Sequence, residues 1–354
     1  MFSERLKRLT PYVPGEQPRD RRYLKLNTNE NPYPPSPEIK KFLAGFDPER
    51  LRLYPDPLSL NLRSRIASTC GLTEDRVFVG NGSDETLSFA FYAFFDPGRG
   101  PLLFPQFTYS FYPVYCDFYG IPYEKVPLRS DFSVDVSGFL SRADSCGVIF
   151  ANPNAPTGIC LPLEEVRHFL EGYPDDRVVV VDEAYIDFGG ESALALLDRF
   201  PNLLLMRTFS KSMSLAGLRV GYALGSRDLI GALFTVKDSF NSYPLDALSQ
   251  VIAEIALSDE AYYRSVTDKI RTTRDAFSRD LEGRGWRVLP SKANFVFAAK
   301  PGIAGTRIYG RLREQGVLVR HFDLEGIRDF VRITIGTKED MERFLEEIDA
   351  LQAP

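Results

Sequence analysis

The sequence predicts an α/β chain: a large domain with a mostly parallel sheet flanked by helices, then a smaller α+β C-terminal domain. Three observations lead there. From Arg76 onward, short apolar runs alternate with amphipathic stretches. The runs Val148–Ala151, Val178–Val181 and Leu203–Met206 are continuous rather than alternating, as in strands covered on both faces. Beyond residue 244 the pattern changes to one long helical stretch, then to strands with helices on one side. The expected divisions are an extended arm over 1–40, a large domain over 41–245 and a small domain over 246–354.

The arm is rich in proline, at Pro11, Pro14 and Pro18 and again at Pro32, Pro34, Pro35 and Pro37. Prolines at this density are expected to forbid regular helix or central strand. Tyr54-Pro55-Asp56-Pro57 punctuates the chain a second time. From Leu58 to Cys70 the spacing is helical, with Leu58, Leu62, Ile66 and Ala67 on one face and Gly71 at the end. Expected strands are Val77–Val79, Leu102–Phe104, Tyr123–Val126, Val148–Ala151, Val178–Val181, Leu203–Met206 and Tyr222–Leu224. Helices are expected between them at about 83–95, 108–119, 161–171 and 191–199. Residues 244–282 read as a long helical stretch carrying Leu248, Ile252, Ile255 and Ala256. Another helix is expected over 304–315, and a closing one carries Met341, Phe344, Leu345, Ile348 and Leu351.

Composition narrows the function. With 354 residues, 44% hydrophobic and 26% charged, the chain has material for a large core. The net charge of −5 leaves no basic surplus for nucleic acid. No apolar run approaches the roughly 18 residues that span a bilayer. Residues 1–9 lack the apolar core of a secretory signal, so a cytoplasmic protein is expected. Cys70, Cys116, Cys146 and Cys160 form no CxxC pair and read as reduced thiols. His168 and His321 are the only histidines, which argues against zinc and against histidine-based triads.

Four stretches carry chemistry. Lys211 follows the apolar run Leu203–Met206 in a polar turn with Thr208 and Ser210, and Arg219 comes eight residues later. A lysine just past a buried strand can serve as a nucleophile, and hydroxyls with a guanidinium suit a phosphate. Together they suit pyridoxal phosphate, whose aldehyde needs an amine and whose phosphate needs an anchor. Gly80-Asn81-Gly82-Ser83-Asp84-Glu85 follows a strand and opens a helix. Such a turn can bind an anion, or it is a plain βα turn with Ser83 or Asp84 as N-cap. Asn152-Pro153-Asn154-Ala155-Pro156-Thr157-Gly158 is a rigid loop that presents the Asn154 amide, or a purely structural turn. Asp182 ends the most apolar strand, where an unpaired carboxylate is costly. A protonated pyridine nitrogen would compensate it, with Tyr185 three residues on to reach the cofactor's phenolic oxygen; a salt-bridged or metal-binding carboxylate is the other reading, and two histidines make metal poor.

In order and spacing, these stretches resemble the fold-type I pyridoxal-phosphate aminotransferases. With the Pro11–Pro18, Leu26–Pro37 and Tyr54–Pro57 segments, Thr108–Tyr115 and the late Val331–Thr337 added, the resemblance is to the histidinol-phosphate aminotransferases along almost the full length. It implies that Lys211 bonds the cofactor aldehyde and later moves the substrate proton. Asp182 would pair with the pyridinium, Asn154 and Tyr185 with the phenolic oxygen, and Tyr109 would stack on the ring. Thr208, Ser210, Arg219 and the backbone around Ser83, Asp84 and Glu85 would hold the phosphate. Tyr54 would reach that phosphate from a neighbouring subunit, which implies a homodimer. Arg332 would grip the glutamate carboxylate and, in the other half-reaction, the substrate phosphate. Arg320 would assist it, and Tyr12 and Asn29 would help close the pocket. The departure is Phe107, where the family often has proline.

The implied reaction is transfer of the amino group of L-histidinol phosphate to 2-oxoglutarate in histidine biosynthesis. Aromatic or prephenate aminotransferases and threonine-phosphate decarboxylases share the scaffold and stay open. A regulator that only binds the cofactor would need a basic helix-turn-helix, which the sequence lacks. A dehydrogenase would need the glycine fingerprint, which is also missing.

Overall fold

The structure is a computed structural model that describes residues 2–142 and 144–349. Its strands are β1 Leu24–Lys25, β2 Val77–Asn81, β3 Leu102–Pro105, β4 Tyr123–Val126, β5 Gly147–Ala151, β6 Val179–Asp182, β7 Leu203–Thr208 and β8 Val220–Leu224. They continue with β9 Arg287–Val288, β10 Phe295–Ala299, β11 Val317–Leu318, β12 Arg320–His321 and β13 Phe330–Thr334. All seven strands expected between 77 and 224 join one sheet, in the order β2-β8-β7-β6-β5-β3-β4. Within it β3, β4, β5, β6 and β7 pair in parallel, and β8 runs antiparallel to both β7 and β2. A parallel return needs about a dozen residues or more, with a helix across the sheet. The Phe209–Arg219 connection holds only a short 3-10 turn, Ala216–Leu218, so the chain comes straight back. That connection carries Lys211.

The continuous apolar runs are explained by the two faces. Val148, Phe150, Val179, Val181, Leu203 and Leu205 point to the helices Leu60–Cys70, Leu163–Gly172 and Ala247–Ser258. Ile149, Val180, Leu204 and Met206 point to the helices Gly82–Phe94, Tyr112–Tyr119 and Arg227–Phe240. Period-two alternation then puts Asp182 and Thr208 on the second face, with Val180 and Met206. The C-terminal region is a four-stranded antiparallel sheet, β12-β13-β10-β9. The helices Glu260–Gly283, Gly305–Glu314 and Lys338–Asp349 pack with it through Ile270, Phe277, Leu312 and Phe344.

Several elements differ from expectation. The helix expected at 191–199 is only a 3-10 turn, Ala193–Leu196. Buried Glu183 accepts from the Ser192 hydroxyl and the Ala193 N–H, which fixes a turn instead. The stretch 244–282 is two helices, Ala247–Ser258 and Glu260–Gly283, broken at Asp259. The arm contains a helix, Pro37–Ala44, because Pro37 sits at its first turn, where the missing N–H costs nothing, and Ser36 caps it. It also supplies β1, which pairs in parallel with β11. The helix Arg227–Phe240 was not foreseen, although Ser226 caps it and Ile230, Leu233 and Lys237 share its buried face. Leu351 lies outside the described residues. Among those described, no helix is long and apolar enough to cross a membrane.

The sheet and the helix Gly82–Phe94 meet without a side chain between them. A Cβ on Gly221 would lie 2.2 Å from the Ser83 nitrogen, whereas one on Gly217 meets nothing within 4 Å. Gly221→Ala is therefore expected to lower stability by about 2 kcal/mol by overpacking, with Gly217→Ala near neutral. Urea unfolding of the two variants checks this, and equal stabilities would contradict it.

Candidate active site

The parallel strands end on one side of the sheet, where open α/β sheets bind ligands. Ala151, Asp182 and Met206 are in register there, followed by Asn152, Glu183 and Arg207. Two adjoining cavities of about 430 and 230 Å3 lie at this edge and share Thr28, Asp84, Tyr109, Ala155, Tyr185, Lys211 and Arg219. The smaller one is also lined by Asp182, Ser83, Thr208 and Ser210, the larger by Tyr12, Asn29, Arg320 and Arg332.

Asp182 is 6% exposed. Its Oδ1 accepts from the Ala184 N–H at 3.1 Å and its Oδ2 from the Tyr112 hydroxyl at 3.0 Å. It has no ion pair among the described residues. Burial pushes its pKa up to about 6, with Asp84 and Glu183 adding to the rise and the two hydrogen bonds opposing it. A buried carboxylate hydrogen-bonded but without a cationic partner suits a cation.

The opposite need stands nearby. The helix Gly82–Phe94 opens at the cavity, and Asn81 makes no side-chain cap bond. Its first N–H groups have no partner within the helix. Ser83 and Asp84 lie inside the first turn, so neither is the N-cap. The Glu85 carboxylate turns back to the Asn81 N–H at 2.7 Å. Arg219, in the left-handed region at φ 55°, reaches Asp84 at 3.0 Å and Ser210 at 3.5 Å. Thr208 donates to Ser210 at 2.9 Å. A Cβ on Gly82 would stand 2.6 Å from the Arg219 guanidinium, so glycine lets that side chain sit close. Helix start, two hydroxyls and a guanidinium make a cradle for an anion such as phosphate.

Lys211 lines both cavities. Its Nζ donates to the Thr28 carbonyl at 3.3 Å and stands 5.6 Å from the centre of the Tyr185 ring. The segment 27–31 clasps the whole site. Asn27 O accepts from Arg332 at 3.1 Å, and the Asn29 amide donates to the Tyr185 hydroxyl at 2.8 Å. The Asn31 amide donates to the Lys211 carbonyl at 3.0 Å. Asn29 is buried at φ 56° and is tied to Thr334 through both its N–H and its Oδ1. Tyr109 hydrogen-bonds Asp84 at 2.9 Å and packs against Phe111.

Arg320 and Arg332 face each other directly across β12 and β13. Neither has an ion pair among the described residues. Arg320 reaches the Pro14 and Val13 carbonyls of the arm, at 3.4 and 3.1 Å, and the buried Nε of Arg332 has no partner. Burial lowers the Arg332 pKa, with Arg320 pushing the same way. Two like charges directly opposite on a sheet are destabilising unless an anion joins them. The pair is a second candidate anion site, in the larger cavity that shares Lys211 with the first.

The side chains of three expected residues do not line either cavity of this chain. The Asn154 amide is committed to the Phe107 carbonyl at 2.9 Å and to Thr157. Glu85 is occupied by its own helix start. Tyr54 is 84% exposed, outside both cavities, and stacks on Tyr243 at 4.7 Å. The sequence reading missed Tyr112, Thr28 and Asn31. Tyr112 sits in an aromatic run with Phe107, Tyr109, Phe111 and Tyr115 that carries no sign of a hydroxyl role, and Thr28 acts through its backbone.

The family model for class I and II aminotransferases matches residues 21–348. The chain belongs to this family. A histidinol-phosphate aminotransferase of Syntrophus aciditrophicus is 63% identical, over 99% of this chain and 98% of its own. One from Chromohalobacter salexigens is 50% identical, over 99% and 98%. Among solved structures, the Sinorhizobium meliloti histidinol-phosphate aminotransferase in complex with pyridoxal 5′-phosphate superposes with a TM-score of 0.83. It is 26% identical, over 92% of this chain and 91% of its own. A Thermus thermophilus aspartate aminotransferase with maleate shares the fold at a TM-score of 0.81 and 20% identity, over 99% of each chain.

The Asp182 carboxyl gives the ligand-free aminotransferase a pH signature. Its folded pKa, about 6, lies above the ordinary 3.8, so the folded state binds the proton more tightly. The associated stability is complete below about pH 4 and falls away as pH rises through about 6. Asp182→Asn is expected to remove that fall. The variant should gain about 3 kcal/mol on wild type between about pH 4 and about pH 7. Urea unfolding across this range measures the difference, and parallel curves would rule out Asp182 as its source.

Proposed function

We propose that this aminotransferase moves the amino group of L-histidinol phosphate to 2-oxoglutarate, giving imidazole acetol phosphate and glutamate, with pyridoxal phosphate as cofactor. The observation that carries the reading is the layout of the site: an anion cradle and a cation seat in one cavity, an unpaired arginine pair in the adjoining one, and Lys211 lining both. The residues present fit the cofactor. Asp182, buried without a cation, would take the ring nitrogen, and Ser83, Thr208, Ser210 and Arg219 would take the phosphate. Tyr185, oriented by Asn29, would face the phenolic oxygen. Tyr109 would lie against the ring. The bound cofactor supplies an aldehyde for the amino group and an electron sink for the charge left at the substrate α-carbon.

The chain's own residues do the rest. Lys211 Nζ takes the α-proton from one carbon and returns it to another, acting as general base and then general acid. Arg332 and Arg320 hold the acidic group of each substrate in turn, since a guanidinium binds carboxylate and phosphate alike. Tyr12 and Asn29, on the arm, close the cavity over the substrate and exclude water. The rival aromatic, prephenate and decarboxylase activities gain nothing from relatives that carry the histidinol-phosphate name at 50–63% identity.

The reading extends to assembly and place. Tyr54 is exposed together with Leu51, Leu53, Phe240 and Tyr243, an apolar surface that suits a second copy of the chain. In such a homodimer Tyr54 would reach the partner's phosphate cradle. The arm over 1–40, large domain over 41–245 and small domain over 246–354 are the working division, and the setting is cytoplasmic.

Lys211→Ala is expected to lower turnover by at least about a thousandfold while leaving the fold intact. Turnover near wild type would refute the assignment. The substrate is tested by a half-reaction. The protein loaded with pyridoxal phosphate is mixed separately with L-histidinol phosphate, phenylalanine and threonine phosphate, and the cofactor absorption is followed. Rapid change with histidinol phosphate alone is the expected result. An equal or faster change with phenylalanine would move the enzyme to aromatic amino acids.

A further inference from the structure

We infer that Tyr112 is a positioning residue for this chemistry, acting through Asp182. The inference rests on the cofactor reading above and goes beyond it. Tyr112 is fully buried in the first turn of the helix Tyr112–Tyr119. Its hydroxyl donates to Asp182 Oδ2 at 3.0 Å, and its ring stands edge-on to Tyr109 at 5.5 Å and 85°. A phenol in a core usually finds a backbone carbonyl or water. This one is spent on the carboxylate that closes the cation seat. The neighbouring Tyr115, on the same helix, donates instead to the Asp84 carbonyl at 2.7 Å.

The consequence is electrostatic. A donor on an ionised carboxylate stabilises that form and makes it a weaker base. The nearby Asp84 and Glu183 carboxylates push the other way. Around the same cavity stand Tyr109, Tyr185, Lys211, Arg219 and Glu30, and Tyr115 stands behind. Among the described residues, Tyr112 is the one side chain that donates to Asp182. With that donor in place, a proton shared between Asp182 and a ring nitrogen stays on the nitrogen. Without it, the proton shifts toward the carboxylate and the ring withdraws electrons less. Tyr112 thereby sets how strong the electron sink is, without touching substrate or cofactor.

The test uses Tyr112→Phe, which removes one oxygen and keeps the ring, with Tyr115→Phe as a control of equal bulk. In the ligand-free protein, the pH window assigned to Asp182 should move up by about one to two units in Tyr112→Phe and stay put in Tyr115→Phe. With 15N-labelled cofactor bound, the ring-nitrogen resonance should move toward the unprotonated position only in Tyr112→Phe. Its kcat should fall about tenfold with KM within about twofold. Placing 3-fluorotyrosine at position 112 keeps the fold and strengthens the donor. It should move both signals the opposite way, which also covers a Phe variant that does not fold. Unchanged nitrogen and stability signals in both variants would overturn the role of Tyr112 alone. Failure of the wild-type protein to take up pyridoxal phosphate would overturn the cofactor reading and this role with it.

Discussion

A carboxylate at the end of a strand buried on both faces is the constraint around which this molecule is arranged. Val179, Val180 and Val181 are fully buried, and the next residue on that strand is Asp182. Taking an ionised group out of water costs several kcal/mol unless it is compensated. The protein compensates only part of it, with one backbone N–H and one phenol. The remainder shows as a raised pKa. A site left under-compensated in this way binds a cation more tightly than a relaxed one would.

The same logic repeats at the other end of the cavity. Arg320 and Arg332 are fixed opposite each other by strand register, and the surrounding rings, Phe295 and Phe322, offer cation–π contact without neutralising charge. Between the two unsatisfied ends runs the segment 27–31. Asn27 and Thr28 hold Arg332 and Lys211 with backbone carbonyls, and Asn29 and Asn31 hold Tyr185 and the lysine backbone with their amides. One short extended stretch thus sets the mutual geometry of three groups from different elements. Its own place is fixed by β1 against β11 and by Thr334. Any shift of the arm is felt at Lys211, Tyr185 and Arg332 together.

Much of this was legible in the residues. Seven strands were read from apolar runs, and all seven lie in one sheet, because burial on both faces leaves an unbroken signal. Asp182 was read from the end of such a strand, and Lys211, Thr208, Ser210 and Arg219 from the turn after another; strand ends converge in a parallel sheet. The helix at 191–199 failed because its propensity was overruled by one buried carboxylate, Glu183. The break at Asp259 is marked only by Ser258-Asp259-Glu260, a short start signal inside a long helical period, and the arm's Ser36 bonds that aspartate. Tyr112 was hidden among Phe107, Tyr109, Phe111 and Tyr115, where period and composition cannot tell a core ring from one whose hydroxyl meets a carboxylate.

By itself the sequence determined the α/β class, the strand set and the types of group at the site. Those follow from local hydrophobic period and from residue chemistry, which are written along the chain. Only the tertiary structure decided that β8 returns antiparallel, that Arg320 and Arg332 are cross-strand partners, and that Tyr112 rather than Tyr115 meets Asp182. Each of these depends on register and on the direction in which a side chain leaves its element. A shift of one residue in a strand would have sent Asp182 to the opposite face of the sheet.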